Sequence, residues 1–192
     1  MTATGPRHRA TGEGQEAIEA FLRAHGADGM PHPGGTLLEH LRRVQSVLAD
    51  WGADAAVRTA GLCHATYGTD GFAPKLLPVT ERATLVALIG ERAESLVHLY
   101  ASCDRDAVYP RIDGTTEITF RNRFTGEEHR PAPEELRAFL EITAANELDV
   151  MAHNAELAEK YGLGLHDLLT RAGSLLSLAA RQACDSALRS AS

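Results

Sequence analysis

Thr36-Leu-Leu-Glu39-His40-Leu-Arg-Arg-Val44-Gln-Ser-Val-Leu48 is the stretch whose reading decides the fold. Thr36 and Glu39 have the form of a capping box. A hydroxyl and a carboxylate three residues apart cover backbone N–H groups that a first helical turn leaves free. Leu37, Leu41, Val44 and Leu48 then recur at helical spacing as one apolar stripe. His40 shares a face with Leu37, Val44 and Val47. The stretch therefore predicts a helix to about Trp51, ended by Gly52, with an imidazole turned toward the core.

The same pattern extends outward on both sides. Ile18, Phe21 and Leu22 fall at helical spacing over about Gln15 to His25, and a Gly- and Pro-rich loop, Gly26 to Gly35, leads into Thr36. Downstream, Ala53 to Thr66 reads as an alanine-rich helix whose small side chains allow close approach of its neighbours. Tyr67-Gly-Thr-Asp-Gly71 breaks it. Thr80 to Ile89 and Arg92 to Cys103 read as two more helical pieces around Gly90. Glu117-Ile-Thr-Phe-Arg-Asn-Arg-Phe124 alternates in a β manner, and a small hairpin is expected over residues 115–131. Pro133-Glu134-Glu135 opens a long helix stopping near Tyr161-Gly162, with Pro suiting the first turn and the acids its dipole. A last helix covers about Leu165 to Ala187. The expectation is a mainly all-α bundle of six to seven helices with one inserted β-hairpin. Residues 1–13 read as a flexible N-terminal arm and residues 14–192 as one helical domain.

Bulk properties narrow the function classes. The chain has 192 residues, 19 basic and 26 acidic, for a net charge of −7. A long nucleic-acid interface needs a basic excess, so that partner class is not expected. No apolar run approaches the roughly 20 residues of a membrane span, and the polar N-terminus has no signal-peptide core. A cytoplasmic protein without a membrane or nucleic-acid partner follows. Cys63, Cys103 and Cys184 are far apart, which excludes a disulfide framework and a zinc knuckle and leaves buried small hydrophobes.

Three ionisable residues face the expected core. His64 shares a face with Val57, Ala60 and Gly61. Asp149 lies with Ile142, Ala145, Ala152 and His153. A carboxylate facing a core is costly unless paired or bound to a cation, and His40 and His64 are natural partners for it. Metal ligation is one reading. Hydrogen-bonded core histidines, with Asp149 paired to an arginine or capping a neighbouring helix, is the other.

The segment His40 to Ala65 resembles the opening of HD-type metal-dependent proteins. These are all-α domains whose ligands run His, then His-Asp, then a distant Asp. Ala-Gly-Leu-Cys-His64 is similar to the approach to the family's His-Asp pair, and Asn146-Glu-Leu-Asp149 to its final Asp. The resemblance covers roughly Thr36 to Asn154. It departs at Ala65, where the family carries the Asp that anchors or bridges metal. It implies an HD-like bundle of a divergent subgroup. Its divalent ion (Fe, Mn, Co or Zn) would be mononuclear and held by His40, His64 and Asp149 with open positions. His153, one turn after Asp149, and His32, in the preceding loop, are candidate further ligands.

Other residues could carry chemistry. His98, with Glu94 one turn before it, is a candidate general acid or ligand. Tyr67 and Thr69 follow His64 and could contact substrate oxygens. Arg105 could grip an anionic substrate with two bonds, with Arg111, Arg121 and Arg123 as further candidates. The expected function is a metal-dependent enzyme acting on a small polar or anionic molecule, leaning to phosphate-ester hydrolysis. A non-haem iron oxygenase of HD-like type is the alternative within that class. A non-catalytic HD-like ligand- or partner-binding domain is the alternative outside it.

Overall fold

The computed structural model describes residues 7–189, with side chains over residues 14–187. Nine α-helices follow one another among the described residues: α1 (Arg7–Ala24), α2 (Leu37–Asp50), α3 (Ala55–Cys63), α4 (Arg82–Ile89), α5 (Glu91–Ser102), α6 (Arg105–Val108), α7 (Pro133–His153), α8 (Ala155–Ala172) and α9 (Leu178–Arg189). The hairpin pairs β3 (Phe120–Arg121) with β4 (Glu128–His129), Phe120 opposite His129 and Arg121 opposite Glu128. The protein is thus mainly all-α with an inserted hairpin, as its periodicity predicts. A second short antiparallel ribbon, β1 (Pro31–His32) with β2 (Gly35–Thr36), lies in the loop before α2.

The capping box forms as read. Glu39 N–H donates to Thr36 Oγ1 at 3.3 Å, and Thr36 N–H donates to Glu39 Oε2 at 2.8 Å. Leu37, Leu41, Val44 and Leu48 are wholly buried, so α2 serves as the central helix, packed on α3 and α7. The α2–α3 approach depends on Gly61, because a Cβ there would clash with Leu48 Cδ1. Helix α3 also packs on α5, and α7 on α8. Phe120, Phe139 and Ile112 carry the core under the hairpin.

Five local readings are corrected. The last helix, expected over about Leu165 to Ala187, is split, because α8 ends at Ala172 with Gly173 at φ +50° and α9 begins at Leu178. The first helix begins at Arg7 rather than near Gln15, and residues 1–6, part of the expected arm, lie outside the described residues. Helix α3 ends at Cys63, which makes His64 its C-cap. The long helix stops at His153 rather than near Tyr161. Asn154 leaves helical geometry at φ −147°, and its side chain accepts from Leu157 N–H at 3.0 Å, capping α8. Strand alternation ends at Arg121, because the Asn122 side chain takes the Phe124 N–H at 2.8 Å and turns the chain.

Three free, buried cysteines are present among the described residues. No described helix is long and apolar enough to cross a membrane.

Candidate functional site

Three helices bring His40, His64 and Asp149 together. His40 and Asp149 face each other from α2 and α7, and His64 enters from the end of α3. His40 is completely buried, and Asp149 is 8% exposed. The His40 Nδ1–H donates to Asp149 Oδ2 at 2.6 Å. Arg43, one turn after His40, grips the same carboxylate twice. Its Nε donates to Oδ1 at 2.7 Å and its Nη2 to Oδ2 at 3.0 Å. Burial opposes the charge on Asp149, but the bonds from His40 and Arg43 outweigh it and hold its pKa down at about 2.

The other nitrogens of the two imidazoles converge on Asn146, one turn before Asp149. His40 Nε2 lies 3.0 Å and His64 Nε2 3.1 Å from Asn146 Oδ1. The Asn146 amide N–H donates to Glu147 Oε1 at 3.1 Å. His64 Nδ1–H donates to the Gly61 carbonyl at 2.8 Å. Burial, then the neighbouring His40, lowers the His64 pKa to about 3, so this ring is neutral at physiological pH.

His32 and His153 complete the surround. His32 stacks on His40 with ring centroids 4.0 Å apart. Its Nδ1 is buried without a hydrogen-bond partner among the described residues. Burial, then His40, brings its pKa down to about 4. His153 Nδ1–H donates to the Asp149 backbone carbonyl at 2.8 Å. The turn at Gly34 (φ +78°) fits against this ring, since a Cβ there would clash with His153 Cδ2.

A cavity of about 660 Å³ opens on one side of this cluster. His32, His64, Ala65 and Asn146 line it, together with the loop Thr69–Phe72, Arg105, Tyr109 and Glu147. Ala65 is part of its wall. Apolar lining comes from Val150 and Met151 of α7 and Leu157, Leu165 and Leu168 of α8. A volume of this size, mostly apolar with a few polar groups, is that of a small-molecule site.

The metal set expected from sequence, His40 and His64 with Asp149, does not fit as a first set of ligands. Both Asp149 oxygens are taken by a guanidinium and an imidazole N–H, and its neighbours already neutralise it. His153 uses its Nδ1 on a backbone carbonyl. Among the described residues, no group of three His, Cys, Asp or Glu is placed to hold one ion.

The remaining candidates separate. Arg105 reaches the cavity, but its Nη1 donates to Glu147 Oε1 at 3.0 Å and its Nη2 to Tyr100 OH at 3.3 Å. Tyr67 is buried away from the cavity and donates its hydroxyl to Glu94 Oε1 at 2.8 Å. His98 lies outside the cavity wall, beside Phe124 at 6.2 Å, and burial lowers its pKa. Arg111 and Arg123 spend their guanidinium groups on Thr119 and Ala101 carbonyls, at 2.9 and 2.6 Å. Arg121 stands 3.5 Å from Asp104. Arg43, Asn146 and Glu147 are the site residues that the sequence reading missed. Arg43 is i+3 from His40 and Asn146 is i−3 from Asp149, so helical spacing already set both on the right faces.

Residues 21–105, less than half of the chain, match the model of a domain of unknown function (DUF6817). That match includes His32, His40, Arg43 and His64 and stops before Asn146 and Asp149. No curated protein and no solved structure matches the chain.

Proposed function

We propose that this chain is a small-molecule-binding domain of HD-like build, in which an arginine supplies the positive charge that a metal ion supplies in the family it resembles. The observation that carries the reading is the saturation of Asp149, whose two oxygens accept from Arg43 and His40. With that charge balanced, the cluster needs no further cation to be stable in the core. Its exposed side is the polar floor of the 660 Å³ cavity, built from a neutral His64 and the Asn146 amide. Ala65 keeps the floor open at the point where a carboxylate would fill it. The residues therefore orient a ligand by hydrogen bonds while the α8 wall takes its apolar part.

A second reading, a metal-dependent enzyme acting on a small polar molecule, is favoured by one observation. His40 Nε2 and His64 Nε2 lie 3.0 and 3.1 Å from the same amide oxygen. Ligand atoms about 3 Å apart suit adjacent positions around an ion bound at roughly 2.1 Å. The Asp149 carboxylate and Gly61 carbonyl also orient the two rings from behind, as outer partners of metal-bound imidazoles do. In that reading His40, His64 and Asn146 would hold the ion, with Asp149 behind His40. The ion would supply Lewis acidity for phosphate-ester hydrolysis, or an oxygen-binding centre if iron.

Elemental analysis of the full chain, purified under mild conditions, tests the choice. The first reading expects no stoichiometric divalent metal, and ligand affinity in the cavity unchanged by a chelator. Stoichiometric iron, manganese, cobalt or zinc that is lost in His64→Ala would overturn it in favour of the second. Oxygen consumption and a phosphate-ester panel would then separate oxygenase from hydrolase.

A further inference from the structure

Resting on the reading of the 660 Å³ cavity as a small-molecule site, we infer that its ligand is a cationic amphiphile: an ammonium head on an apolar body. Arg105 is the one guanidinium in the cavity wall among the described residues. Its Nη1 is bonded to Glu147 at 3.0 Å, and its backbone N–H donates to Asp70 Oδ2 at 2.8 Å. Asp70, Asp106 and Glu147 all line the cavity, so three carboxylates stand against one arginine. A cleft with an excess of one sign and low-dielectric walls concentrates the opposite sign. An anionic head would meet that excess with the only guanidinium already bonded. Tyr109 and Tyr161 stand in the same wall, and both rings already hold a cation, Arg105 5.6 Å and Lys160 5.0 Å from the ring centroids, as aromatic faces do for ammonium groups. Met151, Leu157 and Leu168 in the lining suit an apolar body attached to the head.

The test measures the affinity of the full chain for three probes of one chain length: n-octylammonium, n-octanoate and n-octanol. The ammonium is expected to bind at least about tenfold more tightly than the carboxylate, with the alcohol between them. Glu147→Gln removes a negative charge beside Arg105, so the preference should collapse or reverse toward octanoate. Asp106→Asn alters only an exposed rim position and should lower the preference by about two- to threefold. This second variant decides the matter if Glu147→Gln does not fold. Octanoate binding as tightly as octylammonium overturns the inference, as does a preference that neither variant moves. Binding of the alcohol and carboxylate without the amine overturns the charge assignment and leaves the cavity reading standing. Failure of all three probes to bind overturns the cavity reading with it.

Discussion

Two buried carboxylates in this molecule are held almost identically. Glu94 on α5 is 1% exposed. Arg82 grips it with bonds of 2.7 and 2.6 Å, and the Tyr67 hydroxyl adds a third at 2.8 Å. Asp149 on α7 has the same two bonds from Arg43 and a third from His40 Nδ1. The difference is what lies beyond the third donor. Tyr67 ends its chain of polar contacts, so the Glu94 cluster ties the loop after His64 to α5 and α4. His40 has a second nitrogen, which leads through Asn146 to His64 and the cavity. Burial and ion pairing are common to both clusters and say nothing of function by themselves. Continuity with a cavity sets the Asp149 cluster apart.

The sharpest way to break this comparison is to remove each arginine. Arg43→Met leaves a buried carboxylate short of its main counter-charge, and a loss of about 3–5 kcal/mol is expected. Arg82→Met should cost less, about 2 kcal/mol, because the Arg82 side chain is 40% exposed against 28% for Arg43, and solvent screens more of its pairing. Urea unfolding of both variants reads the two losses. Octylammonium affinity should change in Arg43→Met and hold in Arg82→Met at matched folded fraction. Equal effects on binding would show that the two clusters do the same work.

Acid should act first on the histidine cluster. His64 has a folded pKa of about 3 against 6.5 when unfolded. Between those values the unfolded chain binds the extra proton, so stability falls as pH drops below about 6.5. The His64 share is on the order of 3 kcal/mol by pH 4. His32, lowered to about 4, adds to the same slope. Asp149 contributes later: its folded pKa of about 2 lies below the ordinary 3.8, so its stabilisation is lost as pH falls from about 4 toward 2. Denaturation midpoints across pH 7 to 4 should therefore decline in the native chain and decline less in His64→Phe. An unchanged slope in that variant would place the acid sensitivity elsewhere.

Much of this was legible in the sequence, and the limit has a physical form. Spacing reports which face of a helix a residue occupies, so the capping box at Thr36, the stripe of α2 and the convergence of His40, His64 and Asp149 could all be read. Spacing does not rank polar partners across helices. Nothing local says that Asp149 pairs with Arg43, or that Asn146 stands between the imidazoles. The same limit misplaced Tyr67. Its nearness to His64 along the chain suggests a contact with substrate oxygens, but the turn after α3 sends its hydroxyl back to Glu94, 27 residues away. The break at Asn154 was hidden because apolar residues continue at helical spacing into α8, and only the backbone angle and the cap reveal the stop.

The smallest expected effect is also the most selective between the clusters. Tyr67→Phe removes one neutral donor from Glu94 and leaves both Arg82 bonds, for a loss of about 1 kcal/mol. The ring stays buried, so packing of the loop after α3 should be kept. If Tyr67 serves only to pin that loop, ligand affinity in the cavity should be unchanged once folding is complete. Asn146→Leu makes the matching change in the other cluster, deleting the amide that joins the imidazoles to the cavity while keeping an apolar side chain of similar size. It should weaken octylammonium binding severalfold, through loss of the polar floor. Measuring both variants by unfolding and by probe titration separates stability from binding. A Tyr67→Phe protein that keeps its fold and loses the ligand would return Tyr67 to the site and erase the distinction between the two carboxylates.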